Sequence, residues 1–147
     1  MNNILKHSIC TFFIGILFYS CSIKKFIPDG ERLYTGATIE VETDTSVKNI
    51  KELKAELETA LWPDPNSKFL GMYPSLYYYY KNKKQNPGFI NRWLFKRIGE
   101  KPVYQSDVAT SEVEDVLRNR LENDGFFYSS VEATFTEKEG EASAIYR

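Results

Sequence analysis

Apolar positions change their period several times along the chain, and each change predicts a change of element. Ser8 to Tyr19 is an almost unbroken apolar run preceded by Lys6 and His7. As a helix, such a run would span only about 18 Å against a hydrocarbon core of about 30 Å, so it reads as the apolar region of a signal peptide over residues 1–20. From Cys21 to Ala37 the breakers Pro28, Asp29-Gly30 and Gly36 predict a tether. Polar and apolar residues then alternate in Thr38-Ile39-Glu40-Val41-Glu42, the period of a half-buried strand running to Thr43. Asp44, Thr45 and Ser46 offer N-cap oxygens to a helix with the stripe Val47, Ile50, Leu53, Leu57 and Leu61, which Trp62-Pro63 ends.

A second helix is announced by Ser111-Glu112-Val113-Glu114, the spacing of a capping box, and continues through Val113, Val116, Leu117 and Leu121 on one face. Asn123-Asp124-Gly125 stops it, because glycine enters the left-handed cap conformation without steric cost. Tyr128 to Thr136 alternates again, with Val131, Ala133 and Phe135 on its apolar side. The turn Glu137 to Gly140 leads into a last strand, Ala142 to Arg147. The order strand, helix, insert, helix, strand, strand predicts an α+β fold over residues 38–147. It would hold a small three-stranded sheet with two amphipathic helices on one face, the stripes packing on Ile39, Val41, Val131 and Phe135.

Composition narrows the chemistry. With 147 residues, 42% hydrophobic and 27% charged, the chain is globular and about one domain long. The net charge of -1 gives no global attraction to nucleic acid, but charge is segregated: Lys81 to Lys101 holds seven Lys or Arg against one Glu, and Gln105 to Arg147 ten acids against four bases. His7, Cys10 and Cys21 are the only histidine and cysteines, all within the first 21 residues. Zinc sites and cysteine–histidine or serine–histidine catalysis therefore lack their residues, and the reading is a protein that is not an enzyme and carries no metal or cofactor.

The insert, residues 63–104, is aromatic and basic. Tyr77, Tyr78, Tyr79 and Tyr80 are followed by Lys81, Lys83 and Lys84. Two readings stay open: these aromatics, with Trp93 and Phe95, pack internally while the lysines face water, or the tract meets a membrane interface, where tyrosine prefers the headgroup level and lysine contacts anionic lipid. Behind an export signal, nucleic acid is not an expected partner.

Leu17-Phe18-Tyr19-Ser20-Cys21 resembles a bacterial lipobox, which implies a lipoprotein cut before Cys21 and acylated on its sulfur. The element order resembles a POTRA (polypeptide-transport-associated) domain, with Leu121-Glu122-Asn123-Asp124-Gly125-Phe126-Phe127-Tyr128-Ser129-Ser130-Val131 as its helix-to-strand junction. Pro28-Asp29-Gly30-Glu31-Arg32-Leu33-Tyr34-Thr35-Gly36-Ala37, Pro63-Asp64-Pro65-Asn66-Ser67-Lys68-Phe69-Leu70-Gly71 and Gly99-Glu100-Lys101-Pro102-Val103 extend the likeness to the amino-terminal region of lipoprotein members of the BamA/TamA family. These are outer-membrane factors that assemble β-barrel proteins.

That resemblance implies a non-catalytic, lipid-anchored module at the outer membrane, facing the periplasm. Its partners would be outer-membrane lipid, unfolded outer-membrane protein clients and other subunits of the assembly machinery. It also implies that the last strand lies in the middle of the sheet and that the second is an edge able to hold an extended client, presented here by Tyr128, Ser130, Glu132 and Thr134; the alternative is a merely solvated edge. Whole family members continue into further POTRA domains and a membrane barrel, so the third strand is expected to be cut short at Arg147. The rival reading is an unrelated periplasmic lipoprotein that binds a protein partner or a membrane surface through its insert.

Overall fold

The computed structural model describes residues 23–43, 47–83 and 86–147. Residues 1–20, Cys21, the expected cap residues Asp44, Thr45 and Ser46, and Lys84 lie outside them. Among the described residues the fold is α+β, with four α-helices and one three-stranded mixed sheet. The described residues form two compact units: those of 27–66 and 102–147 make the sheet unit, and those of 23–26 and 67–101 make the other.

In the sheet unit, β1 (Leu33–Ile39) pairs in parallel with β3 (Glu141–Tyr146), and β2 (Ala133–Lys138) pairs antiparallel with β3, giving the order β1-β3-β2. The last strand is therefore the middle one, as the resemblance implied. β1 opens five residues before the predicted strand, inside the stretch read as a tether. Leu33 and Tyr34 are buried at 0% and 1% exposure, so that stretch is core. The reason is a bulge: Tyr34 faces Ala142 and Ala37 faces Ala144, so β1 spends one residue more than its partner there. Gly36 sits in the bulge at φ 115°, a conformation that suits glycine. Thr35 Oγ1 donates to the Ala142 carbonyl at 3.1 Å.

Helix α1 (Ile50–Glu58) starts at Asn49, whose φ is 60° and whose side chain makes no cap bond. Of the predicted stripe, Leu57 is buried, Leu53 and Leu61 pack against the core, and Ile50 is left 36% exposed. The helix predicted from Ser111, labelled α4 below, runs over Thr110–Asn123, so Ser111 lies inside the first turn and Ala109 holds the N-cap position without a side-chain bond. The capping box is not formed. Val113 and Leu117 are buried and Leu121 packs on them, whereas Val116 points away at 38% exposure. At the far end Phe126 N donates to Leu121 O and Gly125 N to Glu122 O, with Gly125 at φ 93°. This is the glycine stop that Asn123-Asp124-Gly125 predicted.

The core gathers Tyr34, Ile39, Leu57, Val113, Leu117, Ala144 and Tyr146, with Val41, Val131 and Phe135 packed against it, so both stripes meet the predicted strand residues. Arg120 fastens the two helices together, donating from Nη1 to Glu56 O at 2.9 Å and to Thr59 Oγ1 at 2.7 Å. A cation there also opposes the negative end of the α1 dipole. Where the chain leaves and re-enters the sheet unit, Asn66 Oδ1 accepts from Val103 N at 2.8 Å.

The other unit is a helical hairpin of α2 (Pro74–Asn82) and α3 (Phe89–Ile98). Pro74 is pre-set for a first helical turn, and four consecutive tyrosines carry no helical period, so sequence patterning left this stretch without elements. Leu76 is fully buried, and Tyr79 meets Phe95 at 6.1 Å between ring centroids.

Candidate functional site

A three-stranded open sheet has two edges, and here they differ. Along the first half of β1, Tyr34 N donates to Val103 O and Gln105 N to Arg32 O, both at 2.9 Å, so a short antiparallel bridge of residues 103–105 covers that edge. The chain turns away through Tyr104 and Asp107, which exchange backbone and carboxylate bonds.

β2 has no such neighbour among the described residues. Its hydrogen-bonding parity follows from Glu132 and Arg147, which exchange both backbone bonds at 2.9 and 3.0 Å just beyond the paired strands. In an antiparallel ladder such pairs alternate with outward-facing ones, so Thr134, Thr136 and Lys138 turn their amides to β3, while Ala133, Phe135 and Glu137 turn theirs outward. The Ala133 amide is already taken: it donates to Glu114 Oε1 at 2.7 Å. The accessible length of edge is Phe135 to Glu137. Glu137 is itself steered, with one carboxylate oxygen 2.8 Å from Arg32 Nη2 and the other accepting from Gln105 Nε2 at 3.1 Å.

A cavity of about 470 Å³ lies at the end of the sheet where β1 and β3 finish, with no residue of β2 in its lining. Ile39, Val41, Leu53, Leu57, Leu117 and Leu121 supply apolar walls, and Glu40 and Arg147 join in an ion pair at 2.7 Å on its lining. The loop 125–131 completes it, with Phe127 at 71% exposure and Tyr128 fully exposed.

Two tyrosines of the core are weaker acids than a free phenol. Burial pushes Tyr34 up to about 12, helped by the charges of Tyr146 and Asp64. Burial likewise raises Tyr146, with Glu114 adding to it, and the Tyr146 hydroxyl is enclosed without a hydrogen-bond partner. Both are structural groups held neutral. Among the described residues no cluster of three or more His, Cys, Asp or Glu is arranged to hold a metal, and no helix is long and apolar enough to cross a membrane.

No protein-family model, curated protein or solved structure matches the chain.

The expected client-holding residues are divided by the structure. Thr134 lies on β2 and Glu132 pairs beside it, but Tyr128 and Ser130 fall outside the strand and line the cavity. β2 begins five residues later than predicted because the Gly125 stop is followed by a turn over Phe126 to Ser129, in which the Ser129 hydroxyl donates to Phe126 O. Sequence reading missed Phe135 and Glu137, since outward parity depends on register, and it missed Glu114, which it placed in a capping box. Tyr77, Tyr78, Tyr79 and Tyr80 are half-buried. Phe26 stacks on Tyr80 at 5.2 Å, and Lys81 and Lys83 lie 5.3 and 4.8 Å over the rings of Tyr77 and Tyr79. The tract is thus engaged within its own unit. Trp93, expected to pack, is 52% exposed.

Proposed function

We propose that this chain is a POTRA-like, non-catalytic module of the BamA/TamA family type, which holds extended segments of outer-membrane protein clients by adding them as a strand beside β2. The observation that carries the proposal is the asymmetry of the sheet: β1 is bridged by residues 103–105, whereas β2 offers the outward amides and carbonyls of Phe135 and Glu137. A peptide pairing there gains main-chain hydrogen bonds without regard to sequence, which suits a factor that handles many clients. The sheet order and the glycine-stopped helix before β2 also support the reading. Attachment through Cys21, a place at the outer membrane facing the periplasm, and contacts with other assembly subunits belong to the same proposal.

The test is binding of a labelled extended peptide of about ten alternating residues, the length of a barrel strand, followed by anisotropy. Glu137→Pro removes an outward amide without breaking the β3 ladder, a substitution that edge strands tolerate. It should weaken binding by about tenfold, since one or two backbone hydrogen bonds are lost. Glu137→Gln, which removes only the charge, should bind normally. Equal affinity for the wild type and Glu137→Pro would show that clients do not use this edge.

A further inference from the structure

The charge of the chain is divided between its two units. Residues 67–101 carry eight Lys or Arg and one acid, Glu100, while the sheet unit holds 19 of the chain's 20 acids. Glu100 is committed locally, accepting from both the amide and the hydroxyl of Ser67. Residues 67–101 therefore carry a strong excess of positive charge.

Besides Phe69 and Leu70 in the loop before α2, the exposed large apolar side chains of the hairpin unit lie on α3. At about 100° per residue, Phe89, Ile90, Arg92, Trp93, Lys96 and Arg97 fall on one side of α3, and Asn91, Leu94, Phe95 and Ile98 on the other. Burial divides them the same way, except for Ile98 at the helix end, which is 44% exposed. Asn91, Leu94 and Phe95 are half-buried toward the hairpin seam, whereas Phe89 and Ile90 are 81% and 70% exposed and Trp93 is 52% exposed. Such a cluster of large apolar side chains in water is costly unless something covers it.

We infer that this face of α3 docks on the headgroup region of an anionic lipid bilayer. Phe89, Ile90 and Trp93 would enter the boundary between headgroups and acyl chains. Lys96 and Arg97, one turn beyond, lay aliphatic stems along the same surface and place their charges among the phosphates. Tryptophan suits that depth because its ring is apolar and its N–H is polar. The charge balance selects lipid phosphate over an apolar protein groove, and the acidic sheet unit has no electrostatic reason to join in. The docking is independent of strand addition at β2, which uses residues of the other unit.

Trp93 can report on this directly. In the full chain with Trp62→Phe it is the sole tryptophan. Its emission should shift to the blue, and be quenched by brominated acyl chains, on phosphatidylcholine vesicles containing phosphatidylglycerol but not on phosphatidylcholine alone. Raising the salt should reverse the shift, because exposed charges are screened beyond about 8 Å at physiological ionic strength. Lys96→Glu with Arg97→Glu should weaken the association at least about tenfold, as each basic group near an anionic surface is worth about 1 kcal/mol. Phe89→Ser with Ile90→Ser should abolish quenching while the circular dichroism stays unchanged. An emission unaltered by both vesicles, or quenched equally on both, would overturn the inference, the second result pointing to apolar attachment elsewhere in the chain.

Discussion

The Ala133 amide donates to the Glu114 carboxylate at 2.7 Å, so a side chain from the middle of α4 closes the first outward position of β2. This contact fixes the helix to the sheet and sets where the open edge begins. Glu114→Ala leaves a half-buried amide without its partner, a loss of about 1–3 kcal/mol. Glu114→Gln keeps an acceptor and should cost less than half of that. Urea unfolding of both variants checks the ranking. If Glu114 also shields the edge, Glu114→Ala should bind the strand peptide more tightly per folded molecule, or self-associate on sizing.

Gly36 supports the bulge that lets Tyr34 and Ala37, three residues apart, both point into the core. Gly36→Ala places a Cβ 3.5 Å from Pro65 Cγ, an ordinary contact, so the expected loss comes from φ 115° rather than from crowding. It should be about 1–3 kcal/mol, read as a lower urea midpoint at an unchanged slope.

That bulge also explains what the sequence left unread. Strict alternation marks a strand, and Tyr34, Ala37 and Ile39 do not alternate until one residue is taken out of register. Gly36 then looks like a breaker, and the strand seems to begin at Thr38. Helix stripes survive such local slips because their spacing is set by the helix alone, so Leu53, Leu57, Val113, Leu117 and Leu121 were legible. Cap positions were not: Ser111 fits a capping box, but the N-cap is Ala109, two residues earlier, and Glu114 serves the sheet instead. The open edge was harder still. The parity of Phe135 and Glu137 is set by where β2 pairs with β3, and that register is fixed by the two-residue turn Glu139-Gly140, both at positive φ, whose geometry patterning alone does not give.

Leu117 and Val116 are neighbours on α4 with opposite fates, at 2% and 38% exposure. Leu117→Ala empties part of the core between both helices and the sheet and should cost about 2–5 kcal/mol. Val116→Ala should change stability by about 0.5 kcal/mol or less. Thermal unfolding of the pair measures the helical phase directly, and similar losses would mean that α4 is rotated from the position described.

Tyr34 and Tyr146 give the sheet unit an alkaline limit. Burial favours the neutral phenol, so the folded state holds the Tyr34 proton up to about pH 12, whereas the unfolded chain releases it near the ordinary value of 10. Above that ordinary value the unfolded state binds fewer protons than the folded state, and stability falls as pH rises. The contribution is fully present below pH 10 and is lost progressively between 10 and about 12. At about 1.4 kcal/mol per pKa unit, Tyr34 accounts for up to about 2–3 kcal/mol, and Tyr146 adds in the same direction. Tyr34→Phe should therefore flatten the decline of the urea midpoint over that window. Tyr146→Phe should flatten it too, and at neutral pH it should be neutral or stabilising by about 1 kcal/mol, because it removes an enclosed hydroxyl that has no partner. A midpoint in Tyr34→Phe that falls as steeply above pH 10 as in the wild type would place the alkaline limit in other groups.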